Sequence, residues 1–287
     1  MNPSLSLAER NVLCYFRDRS SVVFSLMGVL VVIMLYLLFL RNSLLESYPG
    51  IPGMDNLMDS WVLSGVLGIV AVTTSAGSLQ VMMDDKVSGK VDDLLVTPAS
   101  SSQIAAGYII GTFLVGLIMS AISFVISLVY LSVTGCPLSA YGVSVSAVLL
   151  IPSSLSGSVI MYSITSFLNS SGAFSGFFTV TSVLIGFLAG IYMPIGMMPS
   201  VMNTIGSLVP ASQMAALFRQ NLGSESLEEV LANSPPGTMD GFRTDMGYDL
   251  SIGGFQLDPL MSIIYVSTVS ALFFVMAVLG LRRNGIR

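Results

Sequence analysis

The sequence has very little charge. Of its 287 residues only 9% are Asp, Glu, Lys or Arg, while 53% are hydrophobic and the mean hydropathy is +0.84. Soluble globular domains carry charge on roughly 25% of their residues, so a chain this poor in charge could not cover a surface that faces water. The composition excludes an ordinary soluble domain and indicates a protein whose main solvent is lipid.

The sequence also lacks histidine and has two cysteines, Cys14 and Cys136. A metal site or a general base in this protein therefore cannot use an imidazole. The basic residues form no stripe of the kind that binds nucleic acid, so no nucleic-acid partner is expected. The topology derived below places the two cysteines on opposite faces of a membrane, which excludes a disulfide between them.

Six apolar segments contain no Asp, Glu, Lys or Arg. Each has about 20 residues or more, which is the length that an α-helix needs to cross a hydrocarbon core of about 30 Å. The sequence therefore predicts an all-α membrane protein in which residues 21–287 form a six-span transmembrane domain, with spans at 21–40, 61–82, 105–132, 143–167, 174–194 and 260–281.

The basic residues are unequally divided between the two sides of these spans. One side has only Arg41, Arg219 and Arg243, whereas the other side, with both termini and the loop after the second span, has Arg10, Arg17, Arg19, Lys86, Lys90, Arg282, Arg283 and Arg287. Because Lys and Arg in short loops favour the cytoplasm, both termini are predicted to be cytoplasmic, in a multi-pass protein of the cell (plasma or inner) membrane.

Residues 1–20 predict a helix that lies in the cytoplasmic interface. Leu5, Val12 and Phe16 share one helical face, and the polar side chains that lie broadly opposite are Arg10, Asn11, Arg17 and Asp18. An amphipathic basic segment is typical of a helix at a membrane surface. The alternative is that residues 1–20 are simply a polar segment that leads into the first span.

The long hydrophilic stretch lies between the fifth and sixth spans, within an extracellular segment at about residues 195–258. It is too short to be an independent domain of typical size. It predicts a small extracellular cap that is ordered by packing on the spans.

The predicted spans contain no ionisable residue, whereas ion-driven transporters usually place such residues inside the membrane. The chain also lacks a G-x-x-x-x-G-K-[ST] phosphate loop, so any ATP hydrolysis is expected on a separate chain. A secondary transporter or channel without an ATPase partner is the alternative, and Pro152 would then break the fourth span. An intramembrane enzyme is disfavoured because the spans offer no acid or base.

The cytoplasmic loop at residues 84–104 combines charged residues with a pair of leucines. Gly89 can begin or end a helix, residues 91–95 can form a short amphipathic turn, and Thr97-Pro98 would end it. A short helix that exposes two leucines and two carboxylates would suit a socket on a partner protein. A solvated turn is the alternative.

This loop resembles the first cytoplasmic loop of the type-2 ABC exporter permeases, the ABC transporter permeases with an ABC-2 type transmembrane subunit. The string G-x-x-D-D-L-L-V-T-P follows acidic residues at the end of the second span and leads into the third. In that family the loop forms a coupling helix that docks on the nucleotide-binding subunit. The resemblance implies that the ATPase-coupling residues are Gly89, Asp92, Asp93, Leu94, Leu95, Thr97 and Pro98.

The resemblance extends to both sides of the loop. The N-terminal segment resembles the family's interfacial connecting helix at Arg10, Tyr15, Phe16, Arg17 and Asp18. The stretch after the fifth span resembles its outer re-entrant helical pair at Gly190, Pro194, Pro199 and Pro210.

What the resemblance implies about function is a non-enzymatic permease subunit that binds no cofactor or metal itself. It would work with two ABC ATPase subunits, which carry ATP and Mg²⁺, and with a second permease copy or a paralogue. Its cargo would be an amphipathic, drug-like, peptide or lipid-linked compound that is moved out of the cell.

Glycines recur at four-residue spacing in three places, at Gly107/Gly111, Gly172/Gly176 and Gly186/Gly190. Such pairs allow helix backbones to approach closely. Packing within one subunit is the simpler interpretation, and a dimer seam at one pair is the alternative.

Overall fold

The computed structural model describes residues 2–48, 50–232, 235 and 237–284. The helices of the first half are α1 (Pro3–Arg17), α2 (Arg19–Leu35), α3 (Arg41–Glu46), α4 (Met54–Ser78), α5 (Gln80–Val87), α6 (Lys90–Leu95) and α7 (Ser101–Val133). Those of the second half are α8 (Ala140–Ser166), α9 (Ser171–Leu188), α10 (Ser200–Leu208), α11 (Pro210–Leu222), α12 (Ser224–Leu231), α13 (Thr238–Asp245) and α14 (Pro259–Asn284). A two-stranded antiparallel hairpin, β1 (Ser251–Ile252) and β2 (Phe255–Gln256), precedes α14.

Five helical stretches within the described residues are long and apolar enough to cross a membrane: Met54–Val87, Ser101–Val133, Ala140–Ser166, Ser171–Leu188 and Pro259–Ala277. They coincide with the second to sixth predicted spans and establish an all-α membrane protein. The first predicted span falls on α2 and on a π-helical segment, Tyr36–Leu40, that joins α2 to α3. Some side chains of α2 and of the end of α14 lie outside the described residues, so the count of six and the sides of the termini stay predictions.

The second span is the centre of the fold. α4 is buried along nearly its whole length, between α7, α8 and α11. Small residues permit this, because a Cβ on Gly68 would lie 2.5 Å from the Cα of Ala215 on α11, and one on Gly157 of α8 would lie 3.0 Å from the carbonyl oxygen of Ala71. Close backbone approach gives the dispersion contacts that hold helices together in lipid.

The N-terminal helix α1 packs along α7, and the glycine pair of α7 makes this possible. A Cβ on Gly107 would lie 2.8 Å from the Cβ of Leu7, and one on Gly111 would lie 3.0 Å from the Cβ of Asn11. This pair therefore serves packing within one subunit.

The side of α1 that contacts the rest of the protein is not the face that carries Leu5. Leu5, predicted on the apolar face, is 57% exposed, whereas Asn11, predicted on the polar face, is buried against α7. The side that contacts the protein is formed by Ser4, Leu7, Ala8, Asn11 and Tyr15. The α7 glycines accept the polar side chain of Asn11 at close range, and the position of α1 in the membrane interface stays a prediction.

The fourth span is continuous. α8 runs from Ala140 to Ser166 with Pro152 inside it, so the break suggested for a secondary transporter is absent. A proline leaves a backbone carbonyl of its own helix without a hydrogen bond, and neighbouring helices in a membrane protein can supply a replacement partner.

The segment after α9 begins with a helical pair, α10 and α11. Pro210 occupies the first position of α11, where its missing N–H costs nothing. α11 is almost entirely buried against α4, α8 and α14. The helical pair is thus present, and its re-entrant depth in the bilayer stays a prediction.

The rest of the segment forms a cap over the same core. Leu227 and Leu231 of α12, with Phe242 and Met246 in and after α13, belong to the buried cluster that contains Trp61. The indole N–H of Trp61 donates to the Met246 carbonyl at 2.6 Å. The cap is ordered by packing on a span, as predicted.

Candidate functional site

The loop after the second span forms a short helix between two sharply defined ends. Gly89 has a φ of +79°, in the left-handed region where glycine is unstrained, and it turns the chain from α5 into α6. At the other end the Thr97 hydroxyl donates to the Leu94 carbonyl at 2.6 Å. A capping box between Ser100 and Gln103 then begins α7. These local bonds hold α6 as a separate projecting unit.

The outward surface of α6 and its flanks is mixed in character. The predicted coupling residues Asp92, Asp93, Thr97 and Pro98 are all exposed. The two leucines differ, since Leu95 is 40% exposed whereas Leu94 is half-buried and packs against the core. The expectation of two exposed leucines therefore holds for Leu95 only.

Two valines add to this surface, and sequence reasoning did not single them out. Val87 precedes the turn and is 56% exposed, and Val96 follows α6 and is 86% exposed. Apolar side chains exposed beside the charged Asp92 and Asp93 could have indicated a contact surface. We call the group Val87, Asp92, Asp93, Leu95 and Val96 the docking surface.

The base of α6 is fixed by a buried ion pair. The Asp85 carboxylate, only 2% exposed at the end of α5, accepts from both terminal nitrogens of Arg10 on α1, and the bond from Nη2 measures 2.7 Å. The Tyr108 hydroxyl of α7 donates to the same carboxylate at 2.8 Å. The hydrogen bond from Arg10 to Asp85 raises the pKa of the Arg10 guanidinium. Two-pronged bonds between Arg and a carboxylate are strong and geometrically specific.

The neighbouring residue ties α5 to a further helix. The Lys86 ammonium donates to the carbonyls of Ser166 and Leu168 at 2.8 and 2.6 Å, at the C-terminal end of α8, where a cation also suits the helix dipole. We call Arg10, Asp85, Lys86 and Tyr108 the inner clamp. It joins α1, α7 and α8 to the two turns that precede α6.

Sequence reasoning placed Arg10 on a solvated face and did not assign a role to Asp85, Lys86 or Tyr108. The available signal was an acid at the end of the second span with an Arg in the lead-in and a Tyr early in the third span. Nothing in spacing along the chain indicated that the three would meet.

The other residues of the predicted connecting helix lie at the junction of α1 and α2. Tyr15 is buried, its hydroxyl lies 2.7 Å from that of Ser25, and its ring meets Phe16 edge-on at 5.3 Å. The Asp18 carboxylate caps the first turn of α2, and Arg17 is exposed. These contacts fix the angle between α1 and α2.

The predicted outer residues mark element boundaries. Gly190 follows α9 with a φ of +67°, Pro194 precedes a 3₁₀ turn at Ile195–Met197, Pro199 precedes α10, and Pro210 begins α11.

A buried arginine lies next to these boundaries. The sequence analysis counted it only among the basic residues between the spans. Arg219 of α11 is fully buried and lies over the Trp61 ring, 4.9 Å from its centre. Its guanidinium donates only to backbone carbonyls, those of Ala189 and Gly190 at 3.1 Å each, Gly247 at 3.3 Å and Trp61 at 3.4 Å. Burial lowers its pKa to about 10, so it stays cationic at neutral pH.

A second buried carboxylate lies at the opposite end of the same span, on the side predicted to be outer. Asp59 of α4 is fully buried and accepts from the Tyr36 hydroxyl at 2.7 Å, from Arg41 Nε at 2.9 Å and from the Tyr130 hydroxyl at 3.3 Å. We call these four residues the outer clamp. The helix of the second span is thus longer than predicted, and its added ends carry paired carboxylates.

These sites have no evident place for a catalytic metal. Within the described ranges no three His, Cys, Asp or Glu side chains come together in a way that could hold an ion.

Comparison with known proteins agrees with this architecture. No curated protein matches the chain. The sequence model of a family described as ABC-2 family transporter protein matches residues 45–279, a range that contains α4 to α13, the docking surface and most of α14. This match covers well over half of the chain and confirms the resemblance inferred from the loop after the second span. The chain therefore belongs to the ABC-2 transporter family, as a multi-pass transmembrane permease.

Proposed function

We propose that this permease is the membrane subunit of an ATP-driven exporter in the cell membrane, with both termini in the cytoplasm, and that its docking surface binds an ABC ATPase. The observation that carries the proposal is the construction of α6. It projects exposed apolar and acidic side chains, while its base is held by the inner clamp.

The inner clamp can transmit a movement of the ATPase subunits to the transmembrane helices. ATP and Mg²⁺ bind on the partner, and closure of two ATPase subunits displaces α6. Asp85 and Lys86 lie immediately before the Gly89 turn, so this displacement reaches α1 and α7 through Asp85 and α8 through Lys86. Charge-assisted bonds transmit it because they resist a change in geometry. The helices around α4 then move together and open the outer side.

A second permease copy or a paralogue completes the transporter in this proposal. α9 offers a surface for it, since only Phe174, Ile185 and Gly186 of its residues are buried in the single chain. A Cβ on Gly172 or Gly176 would meet nothing within 4 Å. The pair thus remains available for close approach by another helix.

Export of an amphipathic, drug-like, peptide or lipid-linked compound follows from the likeness of the coupling loop to exporter permeases. The predicted spans themselves carry no ionisable residue, which is consistent with energy that enters from outside the membrane.

Docking is tested with the variant Leu95→Asp. It places a charge on the docking surface without disturbing Leu94, which packs against the core. The matched control is Val133→Asp at the opposite end of α7, where the side chain is 82% exposed. We expect the first variant to weaken binding to the co-expressed ATPase about tenfold or more, because desolvating an unpaired charge in an interface costs several kcal/mol.

The measurement is the ATPase dissociation constant of purified permease in nanodiscs. Both variants should keep the melting temperature of the parent protein. Equal affinity of the parent protein and Leu95→Asp would show that α6 does not dock.

A further inference from the structure

A cavity of about 470 Å³ lies on the outer side, away from the docking surface. It is bounded by the outer ends of α8 and α14, by α11 and by the residues that follow β2. Ligand sites in proteins commonly have volumes of about 300–1,000 Å³. The cavity is therefore large enough for part of a small amphiphile.

Its floor is apolar. Leu149 of α8 and Leu217 of α11 are buried there, and Val145 and Ile263 are half-buried on the two flanking spans. On the rim, Tyr141 is 76% exposed. Because these apolar residues lie on membrane-spanning helices, they suit contact with acyl chains, so a hydrophobic tail could enter the cavity from the outer leaflet.

The opposite wall is polar, and its arginine is paired with an acid. Arg243 donates through Nε and Nη2 to the two oxygens of Asp249, at 2.6 and 2.7 Å, and Gln220 adds a bond to Asp249 at 3.1 Å. The positive charge of Arg243 is thereby paired with the negative charge of Asp249.

The remaining charge on the wall is Asp258, just before α14. Its side chain is exposed, and within the part of the chain that the structure describes it forms no ion pair. This exposed carboxylate beside a low-dielectric apolar floor attracts a ligand group of the opposite charge.

We infer that this cavity binds a cationic amphiphile from the outer leaflet, with its ammonium or guanidinium group near Asp258 and its tail on the floor of Leu149 and Leu217. This site is separate from the docking surface, and its occupation requires no ATPase.

The test uses the full chain in nanodiscs of zwitterionic lipid, with empty nanodiscs as the reference for partition. The probes are a fluorescent dodecyl-trimethylammonium and an uncharged dodecyl maltoside with the same label. Asp258→Asn removes the charge and keeps a residue suited to the start of a helix, with Glu228→Gln as the control on an exposed acid outside the cavity. Val145→Trp fills the cavity, with Val148→Trp as the control on the exposed side of α8.

We expect Asp258→Asn to weaken binding of the cationic probe about fivefold, the size expected for an exposed charge pair, and to leave binding of the uncharged maltoside probe unchanged. Val145→Trp should weaken both probes about tenfold by steric exclusion. Both controls should stay within about twofold of the parent protein.

Unchanged binding in Val145→Trp would place the probe elsewhere and overturn the inference. An equal response of both probes to Asp258→Asn would overturn the preference for a cation. If Val145→Trp lowers the melting temperature, Ile263→Trp replaces it. Because ATPase is absent from the assay, failure here would leave the proposed docking of α6 untouched.

Discussion

The inner and outer clamps lie at the two ends of one helical stretch and are built from the same residue types. Each places a carboxylate of the second span, Asp85 or Asp59, against an arginine from the segments flanking the first span and a tyrosine of the third. The carboxylates are about 40 Å apart along the helix at 1.5 Å per residue. Charge on this span is therefore confined to its ends, where a partner of opposite charge is available.

The clamps differ in what they are attached to. Asp59 accepts hydrogen bonds from Tyr36 in the first predicted span, from Arg41 directly after it and from Tyr130 in the third span. Asp85 receives an arginine from the separate helix α1, and the Lys90 ammonium of α6 lies 3.9 Å from it. The comparison teaches that the outer clamp serves stability, whereas the inner clamp also connects α6 to the spans.

The largest effect is expected for Arg10→Ala. It leaves Asp85 buried without its main partner, and breaking such a pair costs about 3 kcal/mol in the free energy of unfolding. If the inner clamp transmits motion, the stimulation of the partner's ATP hydrolysis by the permease should also be lost. Equilibrium unfolding in mixed micelles and ATPase assays of the reconstituted complex measure the two effects, with the exposed Arg17→Ala as the control.

Arg41→Ala should have the second largest effect on stability, about 2 kcal/mol, because Asp59 keeps the hydroxyls of Tyr36 and Tyr130. Coupling should persist in this variant, in contrast to Arg10→Ala. Loss of ATPase stimulation by Arg41→Ala at intact fold would remove the distinction between the clamps.

The tyrosines allow a finer comparison. Tyr108→Phe removes a buried 2.8 Å bond to a carboxylate and should cost about 1.5 kcal/mol, whereas Tyr130→Phe removes a longer, part-buried bond and should cost about 0.5 kcal/mol. The same unfolding assay ranks them. The reverse order would mean that the tyrosine of the outer clamp contributes more to the free energy of unfolding than the tyrosine of the inner clamp.

An effect smaller than that of Tyr108→Phe is expected at the contact that positions α1. Gly107→Ala should destabilise the protein by about 1 kcal/mol, because the new Cβ would lie 2.8 Å from Leu7. Gly172→Ala is the matched control, since a Cβ there meets nothing within 4 Å. The control should be neutral or stabilising by up to about 1 kcal/mol. A similar response of both variants would argue against close packing of α1 on α7.

Several local features were predictable because they depend on few neighbouring residues. The turn at Gly89, the short helix over Lys90–Leu95 and the element boundaries at Pro199 and Pro210 follow from the conformational limits of glycine and proline. The unequal exposure of Leu94 and Leu95 could not be predicted in this way, because it depends on which side of α6 contacts the core.

The sequence by itself determined membrane residence, the helical class and the place of the loop that contains α6. Hydropathy over about 20 residues and a short motif are enough for these. Only the tertiary structure decided the buried face of α1 and the partners of Asp85 and Arg219. Arg10 and Asp85 are 75 positions apart, and Arg219 and Trp61 are 158. Such pairs form only when helix packing has brought the segments together, so no local pattern along the chain could have identified them.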